Sequence, residues 1–229
     1  MLFRSYNRIQ KVSDVAVISR ETGTEKKICS DEQRIYGVPC FTRDNRYIIT
    51  TLASPDGHEK LFRIPRDGGK PEQITFHEGS HWYPNCSPDG KWILYTELKS
   101  NQLYVYDTET HHSRPVFPGL NDPHRGGHFS PDGNQISYLR FLNETNAFEV
   151  FIADFPFRRN FTPSDNSFGR QITFTREIKY FNTDWSPDGE WITFAQRGLT
   201  NLYNVWIVPA QGGKPINLTG ALESRRKTI

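Results

Sequence analysis

One twelve-residue segment recurs along the chain and restricts the fold more than any other feature of the sequence. Clear copies are CSPDGKWILYTE (86–97), FSPDGNQISYLR (129–140) and WSPDGEWITFAQ (185–196), and a degraded copy, FTRDNRYIITTL, occupies 41–52. Their aspartates, Asp44, Asp89, Asp132 and Asp188, lie 45, 43 and 56 residues apart. A period of about 40 to 50 residues is typical of a propeller blade with four strands.

Each repeat contains the same succession of strands. A short strand ends at an apolar residue, and Ser-Pro-Asp-Gly then forms a tight turn, in which proline fixes φ and the Ser and Asp side chains bond nearby backbone. An alternating strand such as KWILYTEL follows, then a third such as QLYVYD, and after a polar turn a last one: PEQITF, RPVF, RQITF or PINLT. The repeat therefore predicts an all-β chain of four-stranded antiparallel blades. A further SPDG, at 54–57, is predicted to be a loop between the second and third strands of its blade.

The repeat spacing divides a single predicted domain, residues 1–229, into blades. The boundaries are about 30–76, 77–119, 120–174 and 175–219, with a partial blade at 1–29 and a tail at 220–229. This gives four complete blades plus one partial blade. Two alternatives stay open. In the first, the tail supplies the missing innermost strand and the termini close a five-bladed ring. In the second, the chain is a fragment of a larger propeller. A fragment would expose unburied aromatic surface on one open face and would self-associate.

The pattern W-S-P-D-G-x-x-I-x-F resembles the TolB-like, WD-type propeller repeat over nearly the whole chain. The resemblance implies the β-propeller fold. It does not imply one function, because the same repeat serves a periplasmic protein-binding scaffold, the gating propeller of prolyl-oligopeptidase-type enzymes and some polysaccharide lyases. The sequence contains no Gly-x-Ser-x-Gly elbow, which excludes an intact oligopeptidase for this chain.

Charge and hydropathy argue against several other classes of protein. The 28 basic and 26 acidic residues are interspersed and the net charge is +2, so we expect no nucleic-acid partner. No segment approaches the roughly 20 apolar residues of a membrane span, and none is expected. The N-terminal sequence lacks a signal peptide. It predicts a cytoplasmic protein, or a periplasmic one if the N-terminus is truncated or processed.

The segment HEGSH, at 77–81, matches the His-Glu-x-x-His spacing of zinc peptidases. That chemistry needs a helix, because only the helical period brings two histidines four residues apart onto one face. Gly79 and Ser80 disfavour a helix, and Trp-Tyr-Pro follows directly. We therefore reject the zinc-peptidase interpretation. We predict that His77 lies in a loop between blades, and that the pairing of His81 that matters is with His124 of the next blade.

In a propeller the innermost strand of each blade runs along the central channel and ends at the Ser-Pro-Asp-Gly turn. Counting back from the turn residue predicts which side chains line the channel mouth and bind a ligand: Tyr36, His81, Trp82, His124, His128, Tyr180 and Asp184. Three of these, His81, His124 and His128, are candidate ligands for Mn or Zn, or candidates for general acid and base work. The alternative is that the histidines hydrogen-bond to neighbouring backbone.

The longest repeat contains an insertion between its third and fourth strands, DFPFRRNFTPSDNSFGR at 154–170. Aromatic and arginine side chains in long loops are frequent in interface hot spots, so the segment is a candidate contact surface for a partner. Its predicted contact residues are Phe155, Phe157, Arg158, Arg159 and Phe161. The alternative is that the phenylalanines pack on their own blade.

The sequence thus favours a non-catalytic TolB-like scaffold that binds a protein or peptide at the channel mouth and loop face, without a cofactor. One alternative is a metal-dependent carbohydrate-active enzyme that resembles the propeller-type oligogalacturonate lyases and takes an oligosaccharide ligand. The other is a propeller remnant of a prolyl-oligopeptidase-type peptidase. Converging channel histidines would favour the enzyme, and histidines bonded to backbone would favour the scaffold.

Overall fold

The structure is a computed structural model that describes residues 2–7, 12–31, 35–157, 168–176, 179–197 and 203–220. These residues form antiparallel β-strands joined by turns. Among them, no helix has the length and apolar character needed to cross a membrane. The chain divides into two compact units, Met1–Pro115 and Val116–Ile229.

The first unit contains three sheets, and in each the strands pair in the order of the sequence. The three-stranded sheet is β1 (Leu2–Asn7), β2 (Val12–Ile18) and β3 (Glu25–Asp31). The first four-stranded sheet is β4 (Ile35–Phe41), β5 (Tyr47–Ala53), β6 (Glu59–Pro65) and β7 (Glu72–Gln73). The second is β8 (His81–Cys86), β9 (Trp92–Glu97), β10 (Gln102–Asp107) and β11 (Ser113–Pro115).

The second unit contains two four-stranded sheets with the same strand order. One is β12 (His124–Phe129), β13 (Gln135–Leu142), β14 (Ala147–Asp154) and β15 (Arg170–Gln171). The other is β16 (Lys179–Trp185), β17 (Trp191–Arg197), β18 (Tyr203–Pro209) and β19 (Ile216–Asn217). Four four-stranded sheets confirm the predicted complete blades, and SPDG at 54–57 lies between β5 and β6, as predicted. Most of the tail, residues 221–229, lies outside the described residues.

Each repeat turn is held by its own serine or threonine and its own aspartate. In the copy between β8 and β9, the Ser87 hydroxyl donates to Asp89 Oδ1 at 2.6 Å and accepts the Trp92 amide at 3.0 Å. The Lys91 amide donates to the same carboxylate oxygen at 3.0 Å. The same bonds recur around Thr42, Ser130 and Ser186. The turn is therefore a local structure that closes the first hairpin of each blade.

In three of the four-stranded sheets the last strand is shorter than the sequence predicts, because a threonine side chain replaces the next backbone partner in the hydrogen-bond ladder. The Leu61 amide donates to Thr75 Oγ1 at 3.0 Å, just beyond β7. The Val150 amide donates to Thr173 Oγ1 at 2.9 Å, and the Val205 amide donates to Thr219 Oγ1 at 3.0 Å. Only two residues are therefore in strand conformation in each of the segments PEQITF, RQITF and PINLT. The threonine hydroxyl accepts the hydrogen bond from the next backbone amide of the neighbouring strand.

The core lies between the faces of neighbouring sheets. In the first unit one cluster joins Val15 and Ile28 to Ile48, Leu52 and Ile64, and another joins Ile49, Leu61 and Ile74 to Ile93, Tyr95 and Tyr106. In the second unit the cluster joins Leu139, Val150, Ile152 and Ile172 to Ile192, Phe194, Val208 and Ala210. In each cluster, both sheets contribute apolar side chains. Burial of these side chains between the sheets stabilises the packing of successive sheets within a unit.

Candidate functional site

The innermost strand of every four-stranded sheet is interrupted at the same place. The pairing of β4, β8, β12 and β16 with the next strand shifts register three or four residues before the turn. A β-bulge bends the strand and changes where its side chains point, and bulges are frequent next to functional sites. The four residues that stand four positions before the turn serine or threonine are Val38, Tyr83, Gly126 and Asn182.

Tyr83 occupies this bulge in a backbone conformation that a tyrosine rarely adopts. Its φ is 59°, in the left-handed region. The corresponding residue of β12, Gly126, has almost the same φ, 63°, but has no Cβ to oppose it. Left-handed backbone costs an L-residue with a side chain about 1–2 kcal/mol. Such strain persists where the surrounding structure enforces it, often at functional sites, so Tyr83 is a candidate functional residue.

Tyr83 is paired with Trp82, which the sequence analysis placed at the channel mouth. The two rings meet edge to face, with centroids 5.8 Å apart and planes at 84°. Both side chains are partly exposed. Sequence reasoning missed Tyr83, although aligning the repeats sets it against Gly126 and Asn182, two residue types that tolerate a left-handed φ. The bulge of β8 thus presents an aromatic pair at the surface of the innermost strand.

The histidines of HEGSH pack together without a helix. His77 lies in the loop before β8, as predicted, and His81 is the first residue of β8. The two ring centroids are 4.1 Å apart, so a pairing forms within the motif, where none was expected. His81 is fully buried, and its Nδ1 lies 2.8 Å from Thr75 Oγ1. This corrects the prediction that His81 is open to a ligand at the channel mouth.

Burial also fixes the protonation state of His81. Burial, with nearby His77 and Lys60, lowers the pKa of His81 to about 3. Burial lowers the pKa of His77 as well. Both imidazoles are therefore neutral at pH 7, and His81 is a core residue with one ring nitrogen committed to a hydroxyl.

A buried lysine determines the path of the HEGSH loop. Lys60, which has no exposed surface, donates through Nζ to the carbonyl oxygens of His77 and Gly79, the latter at 2.7 Å. Its ammonium also lies 3.4 Å from the Asp56 carboxylate. Gly79 has a φ of 91°, and a Cβ there would come within 2.1 Å of Glu97 Oε1. The loop is thus built around a cation and a glycine, and not around a metal-binding helix.

His124, the first residue of β12, is also internal. It has no exposed surface, and its Nδ1 lies 2.7 Å from the carbonyl oxygen of Asp122. The Asp122 carboxylate accepts from Arg140 Nε at 2.9 Å and from Nη2 at 2.6 Å. Burial lowers the pKa of His124. The imidazole is bonded to backbone, which corrects the prediction that its side chain lines an open mouth.

His128 and Asp184 are brought together from neighbouring innermost strands, β12 and β16. His128 Nδ1 lies 3.1 Å from Asp184 Oδ1, and Asn182 Nδ2 lies 2.8 Å from His128 Nε2. The side chain of Asp184 is 68% exposed, while that of His128 is 13% exposed. Burial raises the pKa of Asp184, but the hydrogen bond and charge attraction from His128, together with the hydrogen bond from the Trp185 amide, outweigh burial, and the net pKa is lowered. This arrangement is a histidine–carboxylate pair that reaches solvent through the aspartate.

The described residues do not fit a metal centre. Among them, no group of three or more histidine, cysteine, aspartate and glutamate side chains is placed to hold a metal ion. His81 and His124 are buried with Nδ1 engaged, and both nitrogens of His128 have protein neighbours.

The remaining predicted site residues divide into described and undescribed ones. The side chains of Tyr36 and Tyr180 lie outside the described residues, as do Arg158, Arg159 and Phe161. Phe155 is 1% exposed and meets Phe129 edge to face, with centroids 4.9 Å apart. It therefore packs on its own blade, which corrects its assignment to a contact surface. Phe157 is partly exposed and packs on Phe155 at 5.6 Å.

A cavity of about 450 Å³ opens in the first unit, between the turns that follow β4 and β8. Its lining includes the apolar residues Ile49, Ile74 and Ile93 and charged residues such as Arg63. The volume lies within the range of small-ligand sites. The sequence did not predict this cavity. Its lining residues come from two repeats, and the sequence of one repeat does not determine how the two pack against each other.

No family model matches the chain. An uncharacterized protein of Agrobacterium fabrum is 23% identical over 144 residues, which cover 58% of this chain and 48% of that protein. TolB from Acinetobacter baumannii superimposes with a TM-score of 0.75 at 20% identity, over 95% of this chain and 52% of that chain. A putative TolB from Agrobacterium tumefaciens gives 0.71 at 16% identity, over 94% of this chain and 79% of that one. An oligogalacturonate lyase from Vibrio parahaemolyticus gives 0.60 at 12% identity, over 94% of this chain and 58% of that one.

These likenesses, with the repeated four-stranded sheets, define the class: the chain has the β-propeller fold. Within that class the fold is TolB-like, as the repeat predicted. The chain spans about half the length of the curated relative and of the Acinetobacter TolB that it matches.

Proposed function

We propose that the chain is a non-catalytic TolB-like propeller scaffold that binds a protein or peptide, and that Trp82 and Tyr83 form its contact surface. The observation that carries this proposal is the left-handed φ of Tyr83, at a position where β12 has glycine. A tyrosine in this conformation is retained against a conformational cost, which a binding role explains. Tyrosine and tryptophan are also the side chains that contribute most often to interface hot spots.

The histidines support the same proposal. His81 and His124 are neutral, buried and bonded to a hydroxyl and a backbone carbonyl, the outcome expected of a scaffold. The partner that the aromatic pair favours is a peptide segment with an apolar or aromatic side chain, which can pack against the two perpendicular rings.

Replacement of Tyr83 by glycine tests the proposal without damage to the fold, because glycine adopts a φ of 59° without strain. A peptide selected on the immobilised wild-type chain is titrated against both proteins by calorimetry. We expect Tyr83→Gly to weaken binding roughly tenfold or more, as loss of a hot spot does. The control is Phe76→Ala, at a 73% exposed residue outside the innermost strands, with affinity unchanged. Equal affinity of the wild-type and Tyr83→Gly proteins would refute the assignment.

A carbohydrate-active enzyme is the second candidate, and the His128–Asp184 pair is the observation that favours it. A histidine held by a carboxylate is a common arrangement for a general base. Incubation with acidic oligosaccharides, with unsaturated uronate products as the readout, tests this candidate. Cleavage that is lost in His128→Asn would establish the enzyme.

A further inference from the structure

Two cysteines face each other across the interface between the sheets β4–β7 and β8–β11. Cys40, near the end of β4, pairs with Ile49 of β5, and Cys86, the last residue of β8, pairs with Ile93 of β9. Directly paired residues of an antiparallel sheet project from the same face. Ile49 and Ile93 belong to the same apolar cluster between the two sheets, and both cysteines pack against that cluster. Cys40 therefore points towards the second sheet, and Cys86 points back towards the first.

The turns that follow the two strands hold the backbones close together. Arg43 Nη1 donates to the carbonyl oxygen of Pro88 at 2.8 Å. A Cβ added to Gly90 would lie 3.0 Å from the Cβ of Arg43. Arg43 follows Cys40 by three residues, and Pro88 follows Cys86 by two. Packing of one turn on the other thus fixes the ends of both strands next to each other.

The two thiols are in direct contact. A hydrogen bond to Cys40, together with burial, raises the pKa of the Cys86 thiol. Because this bond stabilises the protonated form of Cys86, Cys86 is the donor and the sulfur of Cys40 is the acceptor. Both residues are partly exposed. A small reagent can therefore reach a pair of sulfur atoms that already touch.

We propose that Cys40 and Cys86 form a redox site, at which a small disulfide compound drives the closure of a reversible disulfide bond between the innermost strands β4 and β8. A disulfide requires an S–S distance of roughly 2 Å, which thiols in contact reach by rotation of their side chains. Cys29 packs against a different cluster, between the sheets β1–β3 and β4–β7, and is not part of the site. This proposal does not depend on the proposed binding function.

The bond forms by two exchange steps. The Cys40 thiol loses its proton, and its sulfur attacks one sulfur of the small disulfide. This step gives a mixed disulfide and releases one small thiolate, which takes up the proton. The Cys86 thiol then loses its proton and attacks the Cys40 sulfur, and the second small thiolate leaves and is protonated. Two protein thiols are thus oxidised to one disulfide, and one small disulfide is reduced to two thiols.

The cross-link should stabilise the folded chain. It closes the segment 40–86, which includes β5, β6 and β7, and so reduces the conformational freedom of the unfolded chain. We expect the melting temperature of the oxidised chain to exceed that of the reduced chain by roughly 5 to 10 °C.

The test is to incubate the folded, reduced chain with oxidised glutathione and to map its disulfides by mass spectrometry after tryptic digestion without reductant. We expect a linked pair of peptides, 35–43 and 67–91, which carry Cys40 and Cys86 and separate on addition of dithiothreitol. Cys86→Ser should abolish both this link and the rise in melting temperature on oxidation. Cys29→Ser is the matched control, and it should retain both.

Three outcomes would overturn the proposal. Wild-type peptides that stay unlinked show that the two sulfur atoms do not come within bonding distance in the folded chain. A link that includes Cys29, or one that joins two chains on a non-reducing gel, shows that a different pair of thiols is oxidised. An equal rise in melting temperature in Cys86→Ser shows that the stabilisation has another origin. The peptide map uses the wild-type chain, so it decides the question even if Cys86→Ser folds poorly.

Discussion

At the scale of single residues, the repeat is explained by hydrogen bonds that each turn makes within itself. Ser130 Oγ donates to Asp132 Oδ1 at 2.5 Å and accepts the Gln135 amide at 2.9 Å. The serine is 4% exposed, so water is a poor substitute for either partner. Serine or threonine is thus required at this position for its hydroxyl, which is why Thr42 serves equally well in the degraded copy.

Replacing Ser130 by alanine should destabilise the chain. The change removes one donor and one acceptor from a buried turn, and we expect the free energy of unfolding to fall by about 1–2 kcal/mol. Urea unfolding measures the difference. Ser130→Thr is the matched control, because it retains the hydroxyl that Thr42 supplies naturally, and it should stay close to wild type. Equal losses in both variants would show that packing, and not the hydroxyl, sets the cost.

His81 should make stability depend on pH. Its folded pKa of about 3 lies below the ordinary value of 6.5, so the unfolded chain binds a proton more readily between these values. The stabilisation is complete above pH 6.5 and is lost as the pH falls towards 3. By pH 5 we expect His81 to reduce the free energy of unfolding by about 2 kcal/mol relative to pH 7. His81→Gln should be correspondingly less sensitive to pH in urea unfolding; an unchanged difference between pH 7 and pH 5 would contradict this account.

At the scale of the element, the pattern of the sequence predicted which segments form strands but not how long the last strand of each blade is. Alternating apolar residues bounded by turns identify β5, β9, β13 and β17 directly. The outer strands were predicted too long, because the threonine hydroxyl competes with the backbone for the next amide. That competition depends on the side-chain rotamer, which a hydrophobic pattern does not encode.

The two outer threonines of the second unit should differ in importance. Thr173 accepts the Val150 amide and donates to the fully buried Glu149 carboxylate, so Thr173→Val removes a hydrogen bond to a buried charge. We expect a loss of about 2–3 kcal/mol in the free energy of unfolding. Thr219→Val removes the equivalent bonds to Val205 and Asn204 where Val205 is 43% exposed, and it should cost about 1 kcal/mol. Chemical denaturation of both variants tests the ranking, which equal losses would contradict.

Regular strand geometry also explains why part of the candidate site was predicted and part was not. Counting back from the turn found His128 and Asp184, which lie two residues before it, on the turn side of the bulge. His81 and His124 lie beyond the bulge, where a shift in register moves a side chain to the other face of a strand. The count therefore placed them in the channel, whereas the structure buries them. A bulge leaves no reliable sign in the residue pattern, apart from Gly126 and its counterparts.

At the scale of the whole molecule, the described core residues form separate clusters, each between successive sheets of one unit. Leu61, which is fully buried, belongs to the cluster that joins β4–β7 to β8–β11. In such stacked architectures the stability of each sheet depends on its immediate neighbours. A substitution in one cluster should therefore destabilise both sheets that contribute side chains to it.

Leu61→Ala should therefore loosen two sheets together. A cavity in place of a buried leucine costs about 2–5 kcal/mol. We expect faster amide hydrogen exchange in β5 and β6 and also in β9 and β10, because the cluster contains side chains from both sheets. Hydrogen-exchange mass spectrometry resolves the two groups of peptides. Faster exchange in β5 and β6 alone would show that the cluster does not couple the sheets.

The turn hydrogen bonds also bear on how the chain reaches this structure. Every strand of a four-stranded sheet pairs with the strand that precedes or follows it in the sequence, and every repeat turn is closed by residues within five positions of one another. Contacts of this kind require little loop closure before they form, and chains rich in them fold quickly. A nascent chain can thus complete each blade as it leaves the ribosome, and a finished sheet offers the next sheet of the same unit an apolar surface on which to assemble.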